Sequence, residues 1–90
     1  MTAPLPLGRV VATPGALEAL AEAGEHPFSY IARHAAGDWG ELCEADRREN
    51  ELSVKHGWRV LSSYPVGDER VWIITEADRS ATTILLPEEY

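Results

Sequence analysis

Apolar positions along the chain follow two different periods, and the change comes at Trp58. Between Pro14 and His56 they recur at spacings of three and four, the rhythm of helices with one buried side. From Trp58 onward, β-branched and aromatic residues crowd into short runs. The first helical stretch, TPGALEALAEAG, carries its own punctuation. Thr13 suits the N-cap, Pro14 the first helical position and Gly24 a left-handed stop. Leu17, Leu20 and Ala21 form its expected buried stripe. The second stretch, HPFSYIARHAAG, opens at Pro27, ends at Gly37 and offers Phe28, Ile31 and Ala35 to a core. A third helix is expected within residues 44 to 56. Glu44 and Asp46 fall in its first turn, where the helix dipole favours negative charge, and Gly57 follows as the stop. Ala45, Leu52 and His56 line up on one side of it with Glu49 between them, and Cys43 stands where a capping Ser, Thr or Asp is usual.

The strand-like runs are GRVVAT near the N-terminus, then WRVLSSYPV, RVWIITE and TTILLP. GDE separates the second from the third as a hairpin turn, and ADRSA separates the third from the fourth. The pattern predicts one α+β domain over residues 1 to 90. Its order is an N-terminal short strand, three helices, then a three-stranded antiparallel sheet over residues 58 to 87, packed against the helices in two layers. Residues 1 to 7, with two prolines, read as an extended arm.

Charge narrows the function classes. Eight Lys and Arg stand against fifteen Asp and Glu, a formal net charge of −7. Passive binding to nucleic acid needs basic surface to displace counterions, so direct nucleic-acid binding is not expected and a protein partner with a basic surface is. A single cysteine, Cys43, excludes an intramolecular disulfide and fits a reducing cytoplasm. MTAPLPLGRVV lacks a charged segment followed by a long apolar run, so no signal peptide is expected, and no stretch reads as a membrane span. Three Trp and three Tyr in so short a chain suggest aromatic surface shared with a second copy, that is, a homodimer.

The densest candidate chemistry is RHAAGDWG. His34 sits near a helix C-terminus, where imidazolium is favoured, with Arg33 beside it and Asp38 and Trp39 just past Gly37. A switchable imidazole with an acid and a guanidinium nearby suits acid–base work or anion binding. The same residues also suit a plain structural role, in which Arg33 and His34 complement the dipole, Asp38 caps a turn and Trp39 plugs the core, buried between Gly37 and Gly40. TEADRSATT places Arg79, Ser80, Thr82 and Thr83 at a turn, where a guanidinium and hydroxyls can hold a phosphate or carboxylate, or merely make a polar hairpin. Arg79 is the expected ionic partner of Asp38. The partner-binding set is therefore Arg33, His34, Asp38, Trp39, Arg79, Ser80 and Thr82, with no catalytic residue assigned. No metal or cofactor is expected, because the three histidines and one cysteine lack ligand spacing and no Gly-rich phosphate loop or GxSxG elbow occurs. ELCEADRRENE, with five acids around Arg47 and Arg48, reads as a solvated helix face or an acidic docking surface.

GDWGEL, KHGWRVLSSY and VWIITEADRSATTILLPEEY together resemble a family of short, often plasmid-borne bacterial proteins, over about Gly8 to Tyr90. That resemblance implies a mobile-element setting and no particular activity. DERVWIITEADRSATTILL is also similar to the C-terminal strands of small ribonucleases of the barnase–EndoU–colicin–RelE type, which place helices first and an antiparallel sheet after. Where barnase-like members carry an Asp-His pair, this chain has Asp78-Arg79, so the family's general acid is missing. The favoured reading is a small accessory protein of a mobile element that binds a cationic protein through its acidic helix and tail, antitoxin-like or as an anti-defence inhibitor. The alternative is a metal-independent ribonuclease or phosphate-ligand-binding protein using His34, Arg79 and Thr83.

Overall fold

The computed structural model describes residues 4–90. Strand β1 (Arg9–Ala12) leads into helices α1 (Pro14–Glu22), α2 (Pro27–Ala35) and α3 (Glu44–His56), followed by strands β2 (Val60–Val66), β3 (Glu69–Thr75) and β4 (Ala81–Leu85) and a 3-10 turn, Pro87–Glu89. The chain is α+β, with three helices and one four-stranded mixed sheet in the order β1-β4-β3-β2. β2, β3 and β4 are antiparallel neighbours, as the strand runs predict. The N-terminal strand was expected apart from this sheet. Instead β1 lies parallel to β4, Arg9 against Ala81 and Ala12 against Ile84, and turns three strands into four. A four-residue strand contains no pattern that names its neighbour; the crossover through the helices decides it.

The helix ends follow local rules. The Thr13 hydroxyl accepts from the Ala16 amide at 3.1 Å, and Pro14 follows at the position that lacks an intrahelical acceptor. The His26 ring caps α2 by accepting from the Phe28 amide. Gly57 closes α3 with a φ of 77°. Cys43 occupies the N-cap of α3 and makes no side-chain cap bond.

The buried faces differ from those the apolar spacing predicts. α1 buries Ala16, Ala19 and Leu20, while Leu17 is exposed. α2 buries Tyr30, Ile31 and His34, and Phe28 is 68% exposed. These faces meet Tyr64, Val66, Val71, Ile73 and Ile84 of the sheet in the main core. Each large apolar side chain fully withdrawn there contributes about 1.5–3 kcal/mol. α3 departs furthest. Its inward residues are Asn50 and Ser53, not Ala45, Leu52 and His56. α3 runs beside β2 at the sheet's edge, where the chain needs hydrogen bonds more than apolar area. The Asn50 amide donates to the Leu61 carbonyl at 2.6 Å and accepts from the Leu61 amide at 3.1 Å. Two residues on, Ser63 exchanges bonds with the Trp39 carbonyl and the Glu41 amide. Pro65 then has no N–H to offer. The β2 edge is thereby closed by its own chain.

Of the expected arm, residues 1–3 lie outside the described residues. The remainder is docked: the Leu5 amide donates to the Ala35 carbonyl, and the Leu5 side chain is buried with Trp39 and Val60. Among the described residues no helix is long and apolar enough to cross a membrane.

Candidate functional site

The residues of RHAAGDWG separate into two settings. His34 is fully buried between α2 and the sheet. Strand alternation turns Ser62, Thr75 and Thr82 inward among Val60, Tyr64, Ile73 and Ile84, and these hydroxyls meet the imidazole. His34 Nδ1 lies 2.5 Å from Ser62 Oγ, and Nε2 lies 2.8 Å from Thr75 Oγ1. Thr75 Oγ1 lies 2.8 Å from Thr82 Oγ1, which donates to the Leu7 carbonyl at 2.7 Å.

That chain of bonds assigns the protons. A carbonyl can only accept, so Thr82 donates to Leu7 and accepts from Thr75. Thr75 then accepts from Nε2–H of His34, and the bare Nδ1 accepts from Ser62. The histidine is neutral, with its proton on Nε2. Burial, helped by the positive charge of Arg79, pushes its pKa down to about 4. No buried side-chain nitrogen or oxygen among the described residues lacks a partner. His34 is a satisfied core histidine with Trp39 edge-on at 5.8 Å, and its placement is a packing device.

Arg33 and Asp38 lie outside this network. Arg33 Nε donates to Asp38 Oδ2 at 2.7 Å, both side chains about half exposed. The guanidinium stands 4.6 Å from the Tyr64 ring centre, and its hydrogen bond holds the Asp38 carboxyl below the usual carboxylate range. The Tyr64 hydroxyl donates to the Asp38 carbonyl at 2.5 Å, and burial pushes that phenol up to about 12. Trp39 is buried against Leu5 and Val60. Only glycine fits at position 40, which has a φ of 74° and where a Cβ would strike the Ser63 carbonyl and the Tyr64 ring.

The expected Asp38–Arg79 pair does not form. Arg79 lies at the β3–β4 turn with a φ of 61° and faces the end of α3. Its guanidinium donates to the carbonyls of Ser53, Trp58 and Glu76, at 3.0, 2.7 and 3.1 Å. It thus ties the β3–β4 turn to the end of α3, adding to the Gly57 and Trp58 amides that already bond the Ser53 carbonyl. Ser80 is held at the turn, its amide donating to the Asp78 carboxylate at 3.0 Å and its carbonyl accepting from Arg9. Thr82 belongs to the His34 network, whereas Thr83 lies on the opposite face of the sheet, paired with Ile74 and Val11. His34, Arg79 and Thr83 therefore share no cleft.

Three surface concavities bear on a site, and one of them, about 280 Å³ and lined by Leu5, Ala35, Ala36, Gly37, Trp39, Glu51 and Val54, carries Glu51 as its one charged side chain. The largest, about 560 Å³, lies where α3 meets the outer face of β2 and β3. Its charges are largely spent within the chain. Arg70 donates to Glu41 at 2.7 Å and to Ser63 at 3.0 Å, and Arg59 stands over the Tyr90 ring. Of the acids of α3, Glu44 pairs with Arg48 at 3.0 Å, while Asp46, Glu49 and Glu51 form no ion pair among the described residues but share their helix with Arg47, Arg48 and Lys55. The tail Glu89 is engaged too, accepting from the Thr13 hydroxyl and the Leu86 amide.

A further concavity, about 270 Å³, lies between α1 and the β2–β3 turn and is lined by Glu22, Asp68 and Glu69. Residues 14 to 25 hold Glu18, Glu22 and Glu25 and no Lys or Arg. None of these five carboxylates forms an ion pair among the described residues. Glu22 ends α1, and the last turn of that helix has no basic residue. A carboxylate at the negative end of a helix dipole is unfavourable by about 0.3–1 kcal/mol. Sequence reasoning fixed on α3 and the tail because acids are denser there. The signal it passed over is the absence of cations from residues 14 to 25. Among the described residues, no group of three or more His, Cys, Asp or Glu side chains could hold a metal ion. Comparison of the chain with protein-family models, with curated proteins and with solved structures finds no match.

Proposed function

We propose that this chain is a small interaction protein that binds a basic segment of a protein partner on the acidic face formed by α1 and the β2–β3 turn. One observation carries the reading: Glu18, Glu22, Glu25, Asp68 and Glu69 are unpaired, and three of them line one shallow cleft. Other carboxylates also lack an ion pair, but Asp46 and Glu49 share the larger groove with Arg59 and Arg70, whereas no Lys or Arg lines this cleft. A Lys or Arg placed at the end of α1 relieves an unfavourable dipole interaction and gains the field of several carboxylates at once. The net charge of −7 steers such a partner from a distance. The resemblance of GDWGEL, KHGWRVLSSY and the C-terminal strands implies a mobile-element setting and no activity; within that setting the proposed binding is an antitoxin-like or anti-defence accessory role.

The test is titration of an arginine-rich peptide into two triple variants, each lacking three negative charges. Glu22→Gln/Asp68→Asn/Glu69→Gln empties the cleft of charge; Glu44→Gln/Asp46→Asn/Glu51→Gln neutralises α3. The cleft variant is expected to bind about tenfold or more weakly than the α3 variant, a difference of about 1.4 kcal/mol. Equal affinities for the two would mean that net charge alone attracts the peptide and that no face is specific.

A further inference from the structure

The two edges of the sheet are finished differently. β2 is closed by Asn50, by Gly40 and Glu41, and by Pro65. β1 is open, with Val10 39% and Val11 41% exposed. The Arg9 amide donates to Ser80 and the Thr13 amide to Ile84, so odd-numbered residues of β1 turn their backbone groups toward β4. By alternation, Val10 and Ala12 turn theirs outward. Among the described residues β1 has no strand neighbour but β4.

We propose that β1 is a self-pairing edge, and that two copies of this chain join through it, antiparallel, with Val11 facing Val11 across a two-fold axis. That register is set by the strand itself. It places Val10 of each copy opposite Ala12 of the other, so the outward amides and carbonyls exchange four hydrogen bonds. Gly8 then meets Pro14 of the second copy, which has no N–H, and the pairing stops at that point. Charge fits the same register. Arg9, Val11 and Thr13 share a face, so Arg9 comes opposite Thr13 of the second copy. There the carboxylate of Glu89 is held by the Thr13 hydroxyl at 2.6 Å. The Arg9 side chain has no hydrogen bond or ion pair among the described residues, and the two-fold axis repeats the Arg9–Glu89 match at both ends. The partner is a second copy because the strand is complementary to itself. The two four-stranded sheets become one of eight strands. The interface lies apart from the acidic cleft, so it stands or falls independently of the proposed function.

Light scattering of the whole chain at high micromolar concentration is expected to give twice 9.9 kDa, falling toward 9.9 kDa on dilution. Val10→Pro removes an outward donor that the fold does not use, and Val11→Lys sets two ammonium groups face to face. Both variants are expected to be monomers with the circular dichroism of the parent. Should Val10→Pro fail to fold, Val11→Lys and the parent's amide exchange carry the test. The Val10 and Ala12 amides are expected to exchange slowly at high concentration and fast on dilution. A parent chain of 9.9 kDa at high concentration would overturn the proposal, as would a dimer that survives Val11→Lys or leaves those two amides unprotected.

Discussion

Acidification to about pH 5.5 should weaken this fold through one residue, His34. Its hydrogen bonds require the neutral imidazole: Nε2–H donates to Thr75 and Nδ1 accepts from Ser62. Protonation places a second donor against Ser62 and a charge in a fully buried site whose bonded neighbours, Ser62 and Thr75, are neutral hydroxyls. The folded pKa is about 4 against an unfolded 6.5. The unfolded chain therefore takes up the proton first as pH falls. The stabilisation is fully present above the unfolded value and is lost as pH drops toward the folded one. Relative to neutral pH, the loss is about 1.4 kcal/mol at about pH 5.5 and about 3 kcal/mol at about pH 4. Asp38, Asp78 and Glu89 are held below their ordinary values and stay ionised through the upper part of this window. The net charge moves toward zero as pH approaches the sequence pI of about 4.8, which relieves self-repulsion and acts in the opposite direction. Urea denaturation midpoints at about pH 7.5 and about pH 5.5 measure the effect. His34→Gln, which keeps a donor and an acceptor but cannot titrate in this range, should flatten the dependence while lowering stability at neutral pH. A parent midpoint equal at the two pH values, or a His34→Gln variant as pH-sensitive as the parent, would refute the reasoning.

Three other experiments examine separate parts of the account. In double-mutant cycles, Arg33→Ala with Asp38→Ala should be coupled by about 0.2–1 kcal/mol, as half-exposed ion pairs are, whereas Asp38→Ala with Arg79→Ala should be additive; the opposite pattern would restore the Asp38–Arg79 pair. Asn50→Ala should cost about 1–3 kcal/mol by chemical denaturation and raise aggregation, because it strips both partners from the Leu61 backbone and opens the β2 edge. Gly40→Ala should be worse, about 3 kcal/mol or more, since a Cβ meets the Ser63 carbonyl at a positive φ; a thermal midpoint within a degree or two of the parent would mean that the loop around Trp39 is less tightly seated than described.

Helix ends, turns and the antiparallel β2–β3–β4 run were legible because each is fixed by a few local residues: Thr13, Pro14, Pro27, Gly57 and the two turns. The inward faces were harder to read, for a physical reason. Seven buried positions are His34, Asn50, Ser53, Ser62, Ser63, Thr75 and Thr82, and an apolar-spacing rule passes over all of them. Their burial depends on partners far apart in sequence, His34 on Ser62 and Thr75, Asn50 on Leu61. Phe28 and Leu17, strongly apolar, stand in solvent instead. One clue was nonetheless present. His34 keeps step with Tyr30 and Ile31 at helical spacing, and Ser62, Thr75 and Thr82 alternate in phase with Val60, Ile73 and Ile84. Read together, those two periods place four polar side chains on one interface. RHAAGDWG drew notice as chemistry; the fold uses it as a buried histidine, a surface ion pair and a loop turned around an indole.

The acidic face of α1 and the β2–β3 turn is the central functional claim, and amide chemical-shift mapping tests it most directly. An arginine-rich peptide added to the isotope-labelled chain is expected to shift residues 18 to 25 and 66 to 69 together, saturably, and to leave α3 and the larger groove beside β2 unmoved. Shifts centred on residues 44 to 56, or spread evenly over every exposed carboxylate, would contradict it.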